Sequence, residues 1–346
     1  ILFEEGNYAE ISIGRLNPSV SGELTFPLLG APVGTSSGNM LGNETFGAFK
    51  IKTDINENLV FAFVIDQPVG ATIGYPTSTG YPYGGSTAKL RSTAATAYLR
   101  YKFNESWSAY GGLRAQQLKG NVGLFTGYTL ETNKDRDFGY TLGVAWERKD
   151  IAARVSLTYN SAISHTLDST EFGGSIAPVT LESQFTTEIP QSVVLDAKTG
   201  IAKDTLLFGS IRWVDWSEFN ISPPLYVAGV GEPLVQYASD TITYTIGLGR
   251  RFNENWSGAV TLEHEPQSND FMGNLGPIDG RTGVGLAATY AFDRYEITGG
   301  VRYSWLGDAK TALPGRTNPV TGGRVQLASF TDNTAVSFGL RFGVRF

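Results

Sequence analysis

Hydrophobic residues recur at every second position along much of this chain. In Thr334–Phe346, Val336, Phe338, Leu340, Phe342, Val344 and Phe346 share one side, with Ala335, Ser337, Gly339, Arg341, Gly343 and Arg345 between them. Period two means strand, because successive side chains of an extended chain point to opposite faces. The alternation returns in Phe138–Trp146, Ile151–Asn160, Thr241–Gly249 and Tyr295–Trp305. Counting such segments predicts fourteen strands, near 8–20, 43–53, 58–66, 87–103, 106–118, 136–147, 150–164, 181–199, 205–216, 240–252, 256–266, 280–292, 295–306 and 332–346. Most run about 9–13 residues, longer than the five or six usual in soluble sheets and suited to crossing a bilayer at a tilt.

The connectors alternate in length. Short turns fall at Asp54–Asn58, Asn104–Ser106, Arg148–Asp150, Ile201–Asp204, Asn253–Asn255 and Asp293–Arg294. Long Gly/Pro/Ser/Thr-rich loops fall at Ser21–Gly42, Gln67–Ser86, Lys119–Lys134, Thr166–Thr180, Ser217–Ser239, Gln267–Asp279 and Gly307–Thr331. Short turns at one rim and long loops at the other predict an all-β transmembrane antiparallel barrel of the outer-membrane kind. Residues 1–346 then form a single barrel domain, with both termini on the short-turn side. Closure leaves no sheet edge in the hydrocarbon. Aromatics support the placement. Phe103, Trp107, Trp146, Phe252, Trp256, Phe292, Tyr295 and Phe346 flank short turns; Tyr159, Trp213, Trp216, Tyr303 and Trp305 lie one membrane thickness away. Two such girdles suit amphipathic rings at headgroup level.

Composition narrows the function. The chain has 346 residues, 42 glycines, no cysteine and a formal charge of −6. Without cysteine there is no disulfide framework, zinc-thiolate site or thiol nucleophile. Net acidity argues against a nucleic-acid partner. No apolar run has the length of a membrane helix. The opening ILFEEGNYAE has neither a basic start nor a cleavage site, so a signal peptide is expected to have been removed. No Walker loop, dinucleotide fingerprint or calcium loop is present, so no cofactor or metal is expected.

Three stretches carry a resemblance to a known family. They are FAFVIDQPVGATIGYP (Phe61–Pro76), with its Pro-x-Gly break in the third strand, IPQSVVLDAKTGIAKDTLLFGSIRWVDWSEF (Ile189–Phe219), with its Trp-Ser-x-Phe ending, and ILFEEGNYAEISIGRLNPSVSG at the first strand. Together with the strand count they resemble the FadL/TodX family, Gram-negative outer-membrane transporters of long-chain fatty acids and other hydrophobic compounds. The resemblance implies passive uptake of such a compound by a multi-pass protein of the cell outer membrane that is not an enzyme. It implies a landing groove on the third and fourth outer loops, where Val122, Leu124, Phe125, Tyr128, Phe172 and Ile176 are the exposed apolar candidates. Packing of these loops on each other is the alternative. It also implies a sideways opening at a kink in the third strand. Here Pro68 removes a ladder donor and Gly70 weakens pairing, unless Pro68 only ends the strand. The family begins with a plug, or hatch, in the lumen; only Ile1–Asn7 precede the first strand here, so the hatch is expected to be short or trimmed.

By strand parity the lumen holds Arg100, Lys102, Arg114, Arg154, Arg212, Arg302, Arg341 and Arg345 together with Glu10, Asp66, Glu147, Asp196, Glu263 and Glu296. Most are expected to pair with one another. Arg114, Arg212 or Arg302 is the candidate to meet a substrate carboxylate. Further expected partners are outer-membrane lipid and lipopolysaccharide, and the barrel-assembly machinery through terminal Phe346; the barrel is expected to be monomeric. Three other functions stay open, one of them a purely structural or receptor-like surface protein that would bind no lipid. A general water-filled porin would conduct ions, and a barrel hydrolase would use His165 or His264, which lie near outer strand ends.

Overall fold

The alternation closes into one sheet. The computed structural model describes residues 1–319 and 322–346, so Val320–Thr321 of the last long loop lie outside the described residues. The wall strands are β1 Tyr8–Ser19, β2 Glu44–Asp54, β3 Leu59–Asp66, β4 Thr87–Lys102, β5 Trp107–Gly123, β6 Asp135–Arg148, β7 Ala153–Asn160, β8 Ser192–Ala202, β9 Thr205–Val214, β10 Thr241–Arg251, β11 Trp256–Glu265, β12 Arg281–Phe292, β13 Tyr295–Leu306 and β14 Thr334–Arg345. Each pairs antiparallel with its sequence neighbour, and β1 closes on β14 from Tyr8↔Arg345 to Ser19↔Thr334. This is the fourteen-stranded barrel the sequence predicts.

The short turns have a local cause. Asn56, Asn104 and Asn253 each open a turn, and each side-chain oxygen accepts two N–H groups just ahead: Asn58 and Leu59, Ser106 and Trp107, Asn255 and Trp256, at 2.8–3.0 Å. Asparagine favours this closure because its amide mimics a backbone turn. The aromatic rim beside these turns is continuous in places. Trp256, Tyr290, Phe292, Tyr295 and Phe342 follow one another with ring centroids 4.9–5.9 Å apart.

Two expected wall strands are shorter in the wall than their alternation predicts. The segment 150–164 leaves the wall after Asn160, and 181–199 joins it only at Ser192. Between them, Ile163–Gly173 and Ala177–Ile189 form a long hairpin above the barrel. Pro190 brings no N–H to the ladder where the chain re-enters the wall, and Ser161 turns its own N–H and hydroxyl onto the backbone of Tyr140. The expected loop Thr166–Thr180 is therefore mostly strand.

The other long loops also pack. Phe271–Met272, Ala309–Thr317, Arg324–Phe330 and Glu23–Leu24 make a small four-stranded sheet, and Pro224–Val230 makes one short helix. Fully buried apolar side chains such as Val20, Met40, Leu118, Leu327 and Phe330 sit in this layer and the strand ends beneath it. The middle of the wall instead exposes its apolar face outward, including Leu113, Phe138, Leu142, Ile246 and Leu340.

Candidate functional site

The wall has one interruption beside β3. Phe49 of β2 pairs with Ile65 of β3, and Leu41 pairs with Ile73 further out. Gly42 donates to the Thr72 carbonyl at 2.9 Å. Between these points no ladder pair joins 43–48 to 66–71. The two strands part and rejoin in the same register, leaving a gap in the ladder. Pro68 lies in it and has no N–H to give.

The kink is pinned from the other neighbour. β4 pairs with β3 up to Asp66↔Ala94 and resumes at Gly70↔Arg91, so one extra residue bulges out on the β3 side. Ser92 holds that bulge: its Oγ accepts from the Val69 N–H at 2.9 Å and donates to the Val69 carbonyl at 2.6 Å. On the lumen side of the gap Phe46 covers Gly14, where a Cβ would meet its ring at 2.3 Å.

An apolar cluster abuts the outer end of the gap. Met40, Ile73 and Tyr75, from its two margins, are buried with Tyr81, Tyr83 and Phe330. Tyr75 stacks on Tyr81 at 5.6 Å, and Tyr83 packs on Phe125 at 4.6 Å. The Tyr75 hydroxyl donates to the Asn274 carbonyl at 2.6 Å, and burial pushes its ionisation well above the ordinary tyrosine range. These tyrosines were not among the sequence candidates. The signal available was the pair of Tyr-Pro steps in Tyr75–Tyr83 directly after the break.

The six loop candidates divide. Val122 packs against both this cluster and a second one containing Leu118, Leu130, Leu167, Phe185 and Leu234; Leu124 and Ile176 pack on the second alone. Tyr128 is fully buried in that second cluster, which corrects the expectation that it is exposed. Its hydroxyl donates to Glu171 at 2.8 Å and its ring meets Tyr226 edge-on at 5.2 Å. The reason is Glu171, fully buried, which also accepts from Ser183 and from the N–H groups of Leu225 and Tyr226 at the start of the short helix. A buried carboxylate needs all these donors. Phe125 and Phe172 are exposed. Tyr83, Leu124, Tyr226, Leu234, Phe271 and Leu275 line a small cavity of about 60 Å³ between the two clusters.

The lumen is ionic at several levels. Arg100 pairs with Glu147, Lys50 with Glu10 at 2.7 Å, and Arg341 and Arg345 share Glu296. Phe3 projects into this layer, its ring 4.1 Å from the guanidinium carbons of both Arg100 and Arg154. Arg302 binds Glu263 at 2.7 Å, which also holds Arg281. Arg114 donates to Thr96 at 3.1 Å. The Arg212 side chain makes no hydrogen bond or ion pair among the described residues. Of the three arginine candidates, Arg302 is already engaged and Arg212 is free.

The two histidines stand apart. His165 is fully buried, with Nδ1 2.8 Å from Asp135, while His264 lies 3.0 Å from Thr282 on another part of the wall. Among the described residues no serine lies within hydrogen-bond reach of either ring.

A family model described as outer membrane protein transport protein (OMPP1/FadL/TodX) matches residues 9–346. No curated protein sequence matches. Among solved structures, a FadL homologue of Pseudomonas aeruginosa superposes with a TM-score of 0.77 at 14 % identity, over 100 % of this chain and 91 % of that one. The toluene transporter TodX of Pseudomonas putida gives 0.70 at 11 %, covering 99 % and 91 %. The toluene transporter TbuX of Ralstonia pickettii gives 0.66 at 12 %, covering 100 % and 90 %. At these identities the structures establish the shared barrel fold.

Proposed function

The chain belongs to the outer membrane protein transport family (OMPP1/FadL/TodX), and on that premise we propose that it takes up hydrophobic small molecules passively, by way of the outer loops and a lateral exit through the gap beside β3. Members of this family are transport proteins, so the hydrolase reading of His165 and His264 is set aside. The substrate class is long-chain fatty acids or compact hydrocarbons of the kind the toluene transporters are named for.

One observation carries the reading: an apolar, aromatic cluster on the outer side runs directly into the wall gap through Met40, Ile73 and Tyr75. A hydrophobic solute leaving water for that cluster, and then for the bilayer, moves downhill at about 0.8 kcal/mol per methylene buried. No energy source is needed. The loops packed over the lumen and Phe3 lodged between two arginines weigh against a general porin. For a fatty acid, unpaired Arg212 is the favoured partner of the carboxylate, with Arg114 nearer the gap.

Uptake of radiolabelled oleate and toluene into lipid vesicles carrying the barrel tests this. Pro68→Val restores the missing donor and is expected to cut uptake of both by roughly tenfold, the rate counterpart of about 1.4 kcal/mol. Uptake that persists unchanged in a folded Pro68→Val barrel defeats the lateral route. A steady ion current from the unmodified barrel, with no uptake, defeats the transport reading in favour of the porin. Arg212→Ala is expected to slow oleate by roughly tenfold and to leave toluene unchanged, since only oleate offers a charge-assisted bond.

A further inference from the structure

The lipid-facing side of β4, β5 and β6 changes character abruptly. Going outward, the facing rows are Ala97–Leu113–Tyr140, then Ala95–Ala115–Phe138, then Thr93–Gln117–Arg136, then Arg91–Lys119. Lys89 follows on β4, opposite Asn121. Two apolar rows thus give way to four cations: Lys89, Arg91, Lys119 and Arg136. All four are exposed. Among the described residues none of their side chains makes a hydrogen bond or ion pair. Glu131, opposite Asn121, and Asp168, on the outer hairpin, form no ion pair with them.

Arg91 stands directly opposite Lys119. Like charges directly opposite on neighbouring strands destabilise a sheet. Standing side by side, with neither side chain ion-paired among the described residues, they suit an anion from outside the chain.

The height identifies the source. Lys119 lies twelve residues along β5 from Trp107, the ring at the short-turn rim. At about 3.3 Å per residue and a tilt near 40°, that is about 30 Å along the membrane normal, just beyond an apolar band of about 25 Å. The cations therefore sit at headgroup level on the long-loop side, facing lipid rather than the lumen.

We propose that Lys89, Arg91, Lys119 and Arg136 form a binding site for the phosphorylated sugar headgroup of an outer-leaflet glycolipid, whose acyl chains lie against the apolar rows below. The anion neutralises the Arg91–Lys119 pair through charge-assisted bonds. The site borders the wall gap: Arg91 pairs with Gly70 and Lys89 with Thr72 across β4. A bound glycolipid would stand beside the lateral opening at its outer end. The site rests on the orientation of the barrel and on these side chains, not on any particular transported substrate.

Native mass spectrometry of the whole barrel in mild detergent tests it. The probes are diphosphorylated lipid A, the same lipid with its phosphates removed, and inorganic phosphate. The barrel is expected to retain one diphosphorylated lipid, preferring it to the phosphate-free form by roughly tenfold or more, as charge-assisted bonds would give. Arg91→Ser with Lys119→Ser should abolish that preference, while Arg91→Lys alone, which keeps the charge, should retain most of it. Arg250→Ser with Arg251→Ser, at the opposite rim, should change nothing. Heat-modifiable mobility on gels reports that each variant is a closed barrel. Equal retention of both lipids, or an undiminished preference in the folded Arg91→Ser/Lys119→Ser barrel, overturns the site. Full displacement of the lipid by millimolar inorganic phosphate also overturns it, because the cations would then hold a free anion rather than a headgroup.

Discussion

Side chains settle matters here that strand parity alone leaves open. Parity correctly places Arg302 and Glu263 in the lumen, and the structure ties them together at 2.7 Å. Parity cannot say that Arg212 lacks such a partner, because partners come from strands distant in sequence. Tyr128 shows the same limit. Its loop is rich in glycine and threonine, which reads as exposed. Yet its ring is buried because Glu171, also buried, needs the phenol as a donor. Tyr128→Phe is expected to loosen the loop layer by about 1–3 kcal/mol, the cost of leaving a buried acceptor short of a donor. Limited proteolysis within Ser217–Ser239 should accelerate while the barrel stays closed. The Tyr128 hydroxyl also sets a pH dependence. Burial, with the bond to Glu171 adding to it, raises its ionisation above the ordinary value near 10. A raised value means its contribution is complete below about pH 10 and is lost only as pH climbs beyond that. Loop protection against protease should therefore be flat from neutral to mildly alkaline pH and fall in strong alkali. Tyr226 beside it is likewise pushed up to about 12, by burial first and then by Glu232.

At the scale of elements, strands and turns were the most legible features. Period-two alternation located every wall strand, and the recurrent Asn-Glu step marks three short turns whose asparagines cap the incoming strand. The hairpin of Ile163–Gly173 and Ala177–Ile189 was not legible as a separate element. Its alternation continues that of β7 and β8 in kind, and nothing in a two-residue period distinguishes a wall strand from a ribbon standing above the wall. Pro190 was the available clue. Pro68 is the informative contrast: one proline marks a re-entry into the wall, the other a gap within it. Only the pairing of Leu41 with Ile73 beyond Pro68 tells them apart, since it shows the strands rejoining. Ser92 is the element that keeps the gap shaped. Ser92→Ala removes both side-chain bonds to Val69 and is expected to free the bulge by about 1–2 kcal/mol. Amide exchange at Val69 should quicken, with the exchange of β9 and β10 unaffected.

For the whole molecule, the closed sheet explains why so hydrophobic a wall coexists with ordinary composition. Apolar side chains point outward to lipid, while small, polar and charged ones fill the lumen, most of the charges paired with one another. The apolar core lies chiefly in the outer layer, where loops bury tyrosines against the margin of the gap. Barrel closure, strand number and orientation follow from the sequence because they depend on local period and turn length. The continuity from aromatic cluster to gap depends on contacts between residues far apart in the chain, and needs the structure. Because the sequence carries no cysteine, introduced thiols can test that continuity directly. Thr45→Cys and Val69→Cys place one thiol on each margin of the gap, which a short bis-thiol-reactive cross-linker can span. Uptake of a labelled hydrophobic substrate into vesicles would be compared between the linked barrel and a cleavably linked sample after release. Uptake is expected to stop when the margins are tied and to return on cleavage; uptake that continues through a fully linked barrel overturns the lateral route.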